Sequence, residues 1–537
     1  MPAPRLPAFA EPASLPRRRV LRAAALSPLG GLLATASPAE AHSTSPPPAM
    51  PRNAVRAIGP WEMSSLDPLR NGYLFSRMQV TETLVDFDPD GTPVPGLAAR
   101  WNVSADRLTW RFLPRADARF HDGTPVRAGD IVAALNRARH AAGALARAPI
   151  AEMHVDGDAV RIRLTRPLSP LLALLSHSST QVLAPASFAH DGNVRTIVGS
   201  GPYRIVDLEP PQRFSIAAFD GWRGAPAAIR EASYLSVGRA EMRALMIEGG
   251  QADLAYGLDP GTLARLRRAP NVRVHAVTVP RTTLLKVNAG HPFFTDTRVR
   301  QAMSLALDRR GIATAILRDP QLAATQLFPP SLPGWHDAAL PALAYDPAAS
   351  QRLLREAGWA AGSDGILRRG GDRFAVTLRT FPDRPELPVI ATAIQEQMRR
   401  VGIEVRVAVG NSSDIPFSHR DGSLALGLFA RNYGVVPDAF GAVAQDFNGE
   451  GGDWGPMGWH SSTVSAALAE LPAIGDTSDT QQARALRSQI AAVLQRELPL
   501  IPVVWYRQTL AANPRLAHVS IDPYERTYRL TQLQWQS

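Results

Sequence analysis

Hydrophobic positions along this chain alternate between two periods, and their order predicts an α/β protein. In DRLTWRFLP, Leu108, Trp110 and Phe112 alternate with other residues as in a strand, and a turn follows at Asp122-Gly123. The next stretch, VRAGDIVAALNRARH, switches to helical spacing, with Ile131, Leu135 and Ala138 on one face. Asp130 falls in its first turn, where a carboxylate meets the positive end of the helix dipole. AVRIRLTRP returns to alternation through Val160, Ile162 and Leu164, after a turn at Asp156-Gly157. AEMRALMIEGGQADLAYG predicts a helix with Met242, Leu245 and Met246 on one face, a stop at Gly249-Gly250 and then a strand. RVRQAMSLALDRRGIATAIL is a longer helical stretch. PVIATAIQEQMRRVGIEVRVAV predicts a helix, a stop at Gly402 and a strand, and LPLIPVVWYRQT a buried strand. No repeat of 20–50 residues is present, and short connections between such elements predict compact α/β lobes.

The first forty residues follow another rule. In PRRRVLRAAALSPLGGLLATASPAEA, a basic cluster precedes a mild apolar run from about Ala23 to Ala36, and Ala39-Glu40-Ala41 fits a signal-peptidase site. Pro28, Gly30 and Gly31 interrupt the run, which is too short to span a bilayer. Arg17-Arg18-Arg19-Val20-Leu21-Arg22 matches the twin-arginine export pattern, the alternative being a Sec signal with an extra arginine. Residues 1–41 are therefore expected to be an export signal of twin-arginine type, leaving a mature chain that begins at His42. The chain has no cysteine, hence no disulfide and no lipobox cysteine for a lipid anchor. A freely soluble product in the periplasm, stabilised by its core, is the expectation.

Charge and composition narrow the chemistry. Net charge is +10, and because residues 1–41 hold five Arg and two Glu, the remainder keeps about +7. Lys286 is the only lysine, and the arginines are interspersed with acids, so no nucleic-acid partner is expected. The sequence has no phosphate-binding loop, no S-x-x-K and no G-x-S-x-G elbow. Its twelve histidines are spread singly, with no H-E-x-x-H, so no resident metal cluster is expected. The carboxylates Asp86 and Asp88 sit in an ordinary turn, DFDPDG, with no nucleophile–base pair to nominate. The expectation is a protein without enzymatic activity; an exported hydrolase is the alternative from a different class.

TETLVDFDPDGTPVPGLAARWNVSADRLTWRFLPRADARFHDGTPVRAGDIVAAL resembles the opening segment of the peptide/nickel family of periplasmic solute-binding proteins, family 5, which serve ABC importers. VGSGPYRIVDLEP, FDGWRG, ADLAYGLDP, VNAGHPFFTDTRVRQAMSLALDR, YDPAASQRLLREAGW and IPVVWYRQT follow in the family's order, so the resemblance covers about residues 55–525. It implies an α/β fold of two lobes with a hinge, and an extra subdomain in the first lobe. Lobe I would take 42–280, with the subdomain near 85–195; lobe II would take 281–504; residues 505–537 would return to lobe I. The chain would cross between lobes near Pro280 and Trp505. The implied partners are a small solute and an inner-membrane ABC permease, and the implied state is a monomer.

The same resemblance suggests where the solute sits. In peptide-binding relatives, the loop matching Leu426–Phe440 carries an aspartate that pairs with the peptide ammonium; here Asn432 and Tyr433 stand in that region, and the anchor is missing. Asp438 is present, but is expected to cap the next helix. Segments such as LFPPSLPGW are nearer the branch that binds nickel as an organic chelate, where arginines hold chelator carboxylates. Arg139 matches one such arginine, Gln181 stands where a second is usual, and Arg431 lies where an aromatic is usual. Tyr433, Trp454 and Trp459 are candidate cleft aromatics. His460 is the only histidine of the glycine-rich segment 446–460 and so the candidate metal contact. A short peptide, a nickel or other metal chelate, and another small solute all remain open; any nickel would arrive chelated.

Overall fold

The computed structural model describes residues 53–536, apart from 142–144, 147, 169, 333, 383, 450–451 and 475–479; the export signal read from residues 1–41 lies outside the described residues. Two apolar runs form the longest strands, Arg273–Val287 and Leu500–Ala512. They pair antiparallel at the centre of a ten-stranded sheet. On one side, Leu426–Asn432 pairs with the 281–287 half of the first strand, and Ala375–Thr380 and Glu404–Val409 follow outward. On the other, Leu254–Tyr256 pairs with the 510–512 end of the second strand, followed by Ala54–Gly59, Glu231–Ser236, Arg213–Ala218 and Tyr203–Glu209. The central pair slips register between Thr278 and Thr282, around Pro280, which has no N–H to donate to the ladder.

The buried side chains divide on either side of that slip. One large core draws on residues 284–504, including Phe328, Trp359 and Phe374. Two further cores draw on residues 55–272 and 510–533. A fourth belongs to a separate four-stranded sheet, Ala98–Val103, Thr109–Pro114, Ala159–Leu164 and Ile150–Asp156, covered by the helix Ala128–His140. The expected alternation holds there: Trp110, Phe112, Val160, Ile162 and Leu164 are buried, as are Ile131, Leu135 and Ala138 of the helix.

Two segments depart from the sequence pattern. The stretch from Arg298 is not one helix but two, Thr297–Leu305 and Arg309–Ala315. Asp308 caps the second by accepting from the Gly311 amide at 2.7 Å, and buried Arg309 donates back to the Ser304 carbonyl at 2.9 Å and to the Pro502 carbonyl at 2.8 Å. Both helices bury apolar residues in the same core, Val299, Ala302 and Met303 from the first and Ile312 and Ala313 from the second. In the helix Ala240–Glu248, the inward face is Arg243, Ala244 and Ile247, whereas Met242 and Leu245 are about half exposed. Arg243 takes the inward position because its guanidinium satisfies the Val237, Gly238 and Gly257 carbonyls. The stop at Gly402 and the strand after it stand as the pattern predicts: Gly402 has φ +87, and its absent side chain leaves room for Leu367.

Two histidines are held neutral by this packing. Burial lowers the His121 and His177 rings to about 4, and the Gly201 carbonyl, 3.0 Å from His121 Nε2, only partly offsets the effect for His121. Both fold with a depressed pKa against about 6.5 when unfolded, so their contribution is full above pH 6.5 and is lost as pH falls toward 4. Each shift corresponds to roughly 3 kcal/mol at the acid end. Urea midpoints should therefore fall between pH 6.5 and 5, above most carboxylate titrations. His121→Gln, which keeps a donor for Gly201 but cannot be protonated, should show a shallower fall.

Candidate ligand site

A cavity of about 1060 Å³ opens where the cores meet. Most of its wall comes from residues 68–89, 176–179, 222–226 and 524–532; Arg281, Asn432, Gly434 and Val435 close it from the central strands and the far side. Gly434 belongs there because a Cβ would stand 2.7 Å from the Pro280 ring. Among the described residues, seven arginines and five carboxylates line the cavity, and buried Asp522 behind the wall lies 3.5 Å from Arg526 Nε and 3.8 Å from Arg529 Nη2.

Three of those carboxylates are already committed. Glu525 accepts from Arg281 Nη2 at 2.6 Å and lies 4.0 Å from Arg77 Nη2. Burial opposes its ionisation, yet Arg281, Arg77 and Arg384 hold it below the usual glutamate range. Glu82 is paired with Arg223, and burial still raises it above that range. Asp86 accepts from Arg526 at 2.7 Å. Asp88 accepts from the Asp90 and Thr92 amides, and Asp117 is exposed. Among the arginines, Arg77 lies over the Trp61 and Tyr73 rings at 4.3 and 4.9 Å. Arg70 is exposed on the wall and joins no ion pair among the described residues.

None of the candidate ligand residues Arg139, Gln181, Arg431, Tyr433, Trp454, Trp459 and His460 is on the lining of this cavity. Gln181 is directly behind the wall: its amide donates to the Gly72 carbonyl at 2.7 Å and accepts from Thr81 Oγ1 at 2.6 Å, and both partners line the cavity. Tyr433 is fully buried edge-on against Phe328, while its neighbours Asn432 and Gly434 face the cavity, as the two-residue period of a strand end requires. Arg431 makes a bidentate pair with Asp446, both contacts 2.7 Å, and Asp446 has no exposed side-chain surface. Arg139 donates to the Ile150 carbonyl at 2.6 Å. Its neighbour Arg137 turns the other way and grips Asp67, the cap of the helix Pro68–Asn71 that carries Arg70. Trp459 donates to Glu497 at 2.9 Å and packs on Phe447; Trp454 packs on Phe429; His460 is exposed. Asp438 accepts from the Phe440 amide at 2.7 Å, at the start of the next helix. Sequence reasoning missed Arg77, Arg281 and Glu525. Their signal was a charge set inside an apolar or aromatic run, as in VPRTTLLKV and DPYERTYRL.

The model for bacterial extracellular solute-binding proteins, family 5, matches residues 92–453. This chain belongs to that family. Among its relatives, the nickel-binding periplasmic protein of Escherichia coli strain K12 is 26% identical, over 87% of this chain and 94% of that protein. The glutathione-binding protein GsiB of Salmonella typhimurium is 23% identical, over 88% and 92%. NikA from Brucella suis, solved in complex with Fe(III)-EDTA, superposes with a TM-score of 0.81 at 25% identity, over 90% of this chain and all of that one. The oligopeptide-binding protein AppA of Bacillus subtilis, at 18% identity and a TM-score of 0.75, shares the fold. This solute-binding protein therefore has the two-lobe architecture of its family, and its work is to capture a solute for import rather than to catalyse a reaction. No helix among the described residues is long and apolar enough to cross a membrane.

The Arg431–Asp446 pair gives the second lobe a measurable signature. Removing one member of a buried pair strands the other charge and typically costs about 3–5 kcal/mol. Arg431→Ala should lower the urea midpoint by that order, whereas Arg431→Met combined with Asp446→Leu should recover much of the loss. Equal destabilisation in the single and double variants would show that the charge is not what the site resists losing.

Proposed function

We propose that this protein captures a small anionic solute in the inter-lobe cavity, works in the periplasm as a soluble monomer, and delivers the solute to an ABC permease. The excess of arginine over carboxylate on the cavity wall, with Arg70 free of ion pairs, carries this reading. Guanidinium groups bind carboxylate through a planar fork and keep their charge when partly desolvated. A zwitterionic peptide needs an acidic anchor for its ammonium. Glu82, Asp86 and Glu525 are each held by an arginine, which leaves only Asp88 and Asp117, outside the arginine pairs, for that role.

The nickel-binding and Fe(III)-EDTA-bound relatives favour a carboxylate-bearing metal chelate as the solute. Among the described residues, no three His, Cys, Asp or Glu side chains converge as a metal site, so the metal would enter inside its chelator as cargo. The glutathione-binding relatives favour a second reading, an anionic peptide such as glutathione, which the same wall accommodates.

Calorimetric titration separates these possibilities. Fe(III)-EDTA or reduced glutathione should bind at least about tenfold more tightly than the zwitterion Ala-Ala, and Arg70→Gln should weaken the anion by about two- to fivefold, the range for a solvent-exposed charge contact. Equal affinity for Ala-Ala would overturn the anionic reading.

Capture in such a cavity needs the lobes to approach, and the register slip at Thr278–Thr282 is the natural pivot because the ladder is already broken there. Small-angle scattering should show a smaller radius of gyration at saturating probe. An unchanged radius would place the bound state at the unliganded geometry.

A further inference from the structure

Among the described residues, His177 is the only histidine on the cavity wall, and its ring is held by its own turn. Nδ1 lies 3.1 Å from the Ser179 amide nitrogen and 2.8 Å from Ser179 Oγ. A backbone N–H can only donate, so Nδ1 must present a lone pair to it. A neutral imidazole with its lone pair on Nδ1 carries its proton on Nε2. Thr180 Oγ1 holds the turn by bonding the His177 and Leu175 carbonyls at 2.8 and 3.0 Å. Nε2 itself has no hydrogen bond to any described residue, and His177 is part of the cavity lining.

We propose that His177 offers Nε2–H to an oxygen acceptor on the solute, a carboxylate or carbonyl, and forms no metal–nitrogen bond. The proposal rests on the anionic-solute reading above, but its core statement concerns the ring and is testable without ligand. A metal on Nε2 would need the lone pair there, and the proton would have to move to Nδ1, against the Ser179 amide. An imidazolium would meet the same conflict, and burial agrees by lowering the ring to about 4. His177 is thus a permanent donor at periplasmic pH. It would favour solutes with an exposed oxygen acceptor over those that present a donor or an open metal position.

The first measurement is long-range ¹⁵N–¹H NMR of the ¹⁵N-labelled full chain, with the His177 signals assigned by their loss in His177→Gln. The Nε2–H pattern at pH 7, unchanged down to pH 5, is expected; an Nδ1–H pattern, or a titration near pH 6.5, would overturn the proposal whatever the ligand. The second is calorimetry with Fe(III)-EDTA and with reduced glutathione. His177→Leu should bind the tighter probe about tenfold more weakly, and His177→Gln, whose amide keeps a donor near the same place, should stay within about threefold of the parent. Parent-like binding by His177→Leu, or equal loss in both variants, would also overturn it. If neither probe binds the parent, the anionic-solute reading fails, and the tautomer measurement still decides the assignment of His177.

Discussion

The pairing of Arg273–Val287 with Leu500–Ala512 is the constraint on which the rest of the molecule depends. Among the described residues, these strands are the elements that join the core built from 284–504 to the cores built from 55–272 and 510–533 through one ladder. Almost every residue along their second-lobe halves is buried, so their hydrogen bonds are shielded from water and rigid. The ladder slips register between Thr278 and Thr282, around Pro280, and again between Thr283 and Leu284. The cavity lies there, with Arg281 on its wall, one residue beyond the proline. A local defect in a stiff ladder thus joins two lobes and leaves a space between them.

The charge of the chain is divided by the same geometry. Arginine supplies all but one of its basic side chains, and many arginines serve the backbone rather than a ligand. Arg243, Arg300 and Arg309 are buried and donate to main-chain carbonyls, because a guanidinium has enough donors to satisfy several carbonyls at once. Arg431 and Arg223 are absorbed by Asp446 and Glu82. The single lysine is fully buried, donates to the Asp453 carbonyl at 2.7 Å and lies 2.5 Å from His419 Nδ1; burial lowers its ammonium to about 7. On the cavity wall, arginines outnumber carboxylates by seven to five among the described residues, and Arg70 joins no ion pair there. A sequence net charge does not reveal this, since it counts structural and free cations alike.

Hydrophobic period alone placed the strands and helices whose one face is buried, such as Thr109–Pro114, Ala128–His140 and the helix–Gly402–strand unit, because burial of one face imposes the period directly. The order of motifs along the chain was enough to indicate the family, because each motif marks a turn or a core contact of the fold. The period failed where a buried arginine replaced an apolar residue, as at Arg243, and where two helices on either side of Asp308 pack into one core. The ligand wall was mostly illegible for a different reason. Arg139 and Arg137 are two residues apart on one helix, yet one reaches Ile150 and the other Asp67, and neither lines the cavity, so only the packed neighbours decide where each side chain goes. Tyr433 and Gly434 are adjacent, yet one is core and the other cavity. The sequence by itself determined the class of fold, the family and the absence of cysteine, all of which are properties of local pattern and composition. Tertiary structure alone decided which charges remain free, because a side chain's electrostatic role depends on partners that are distant in sequence, as Arg281 and Glu525 are, 244 positions apart.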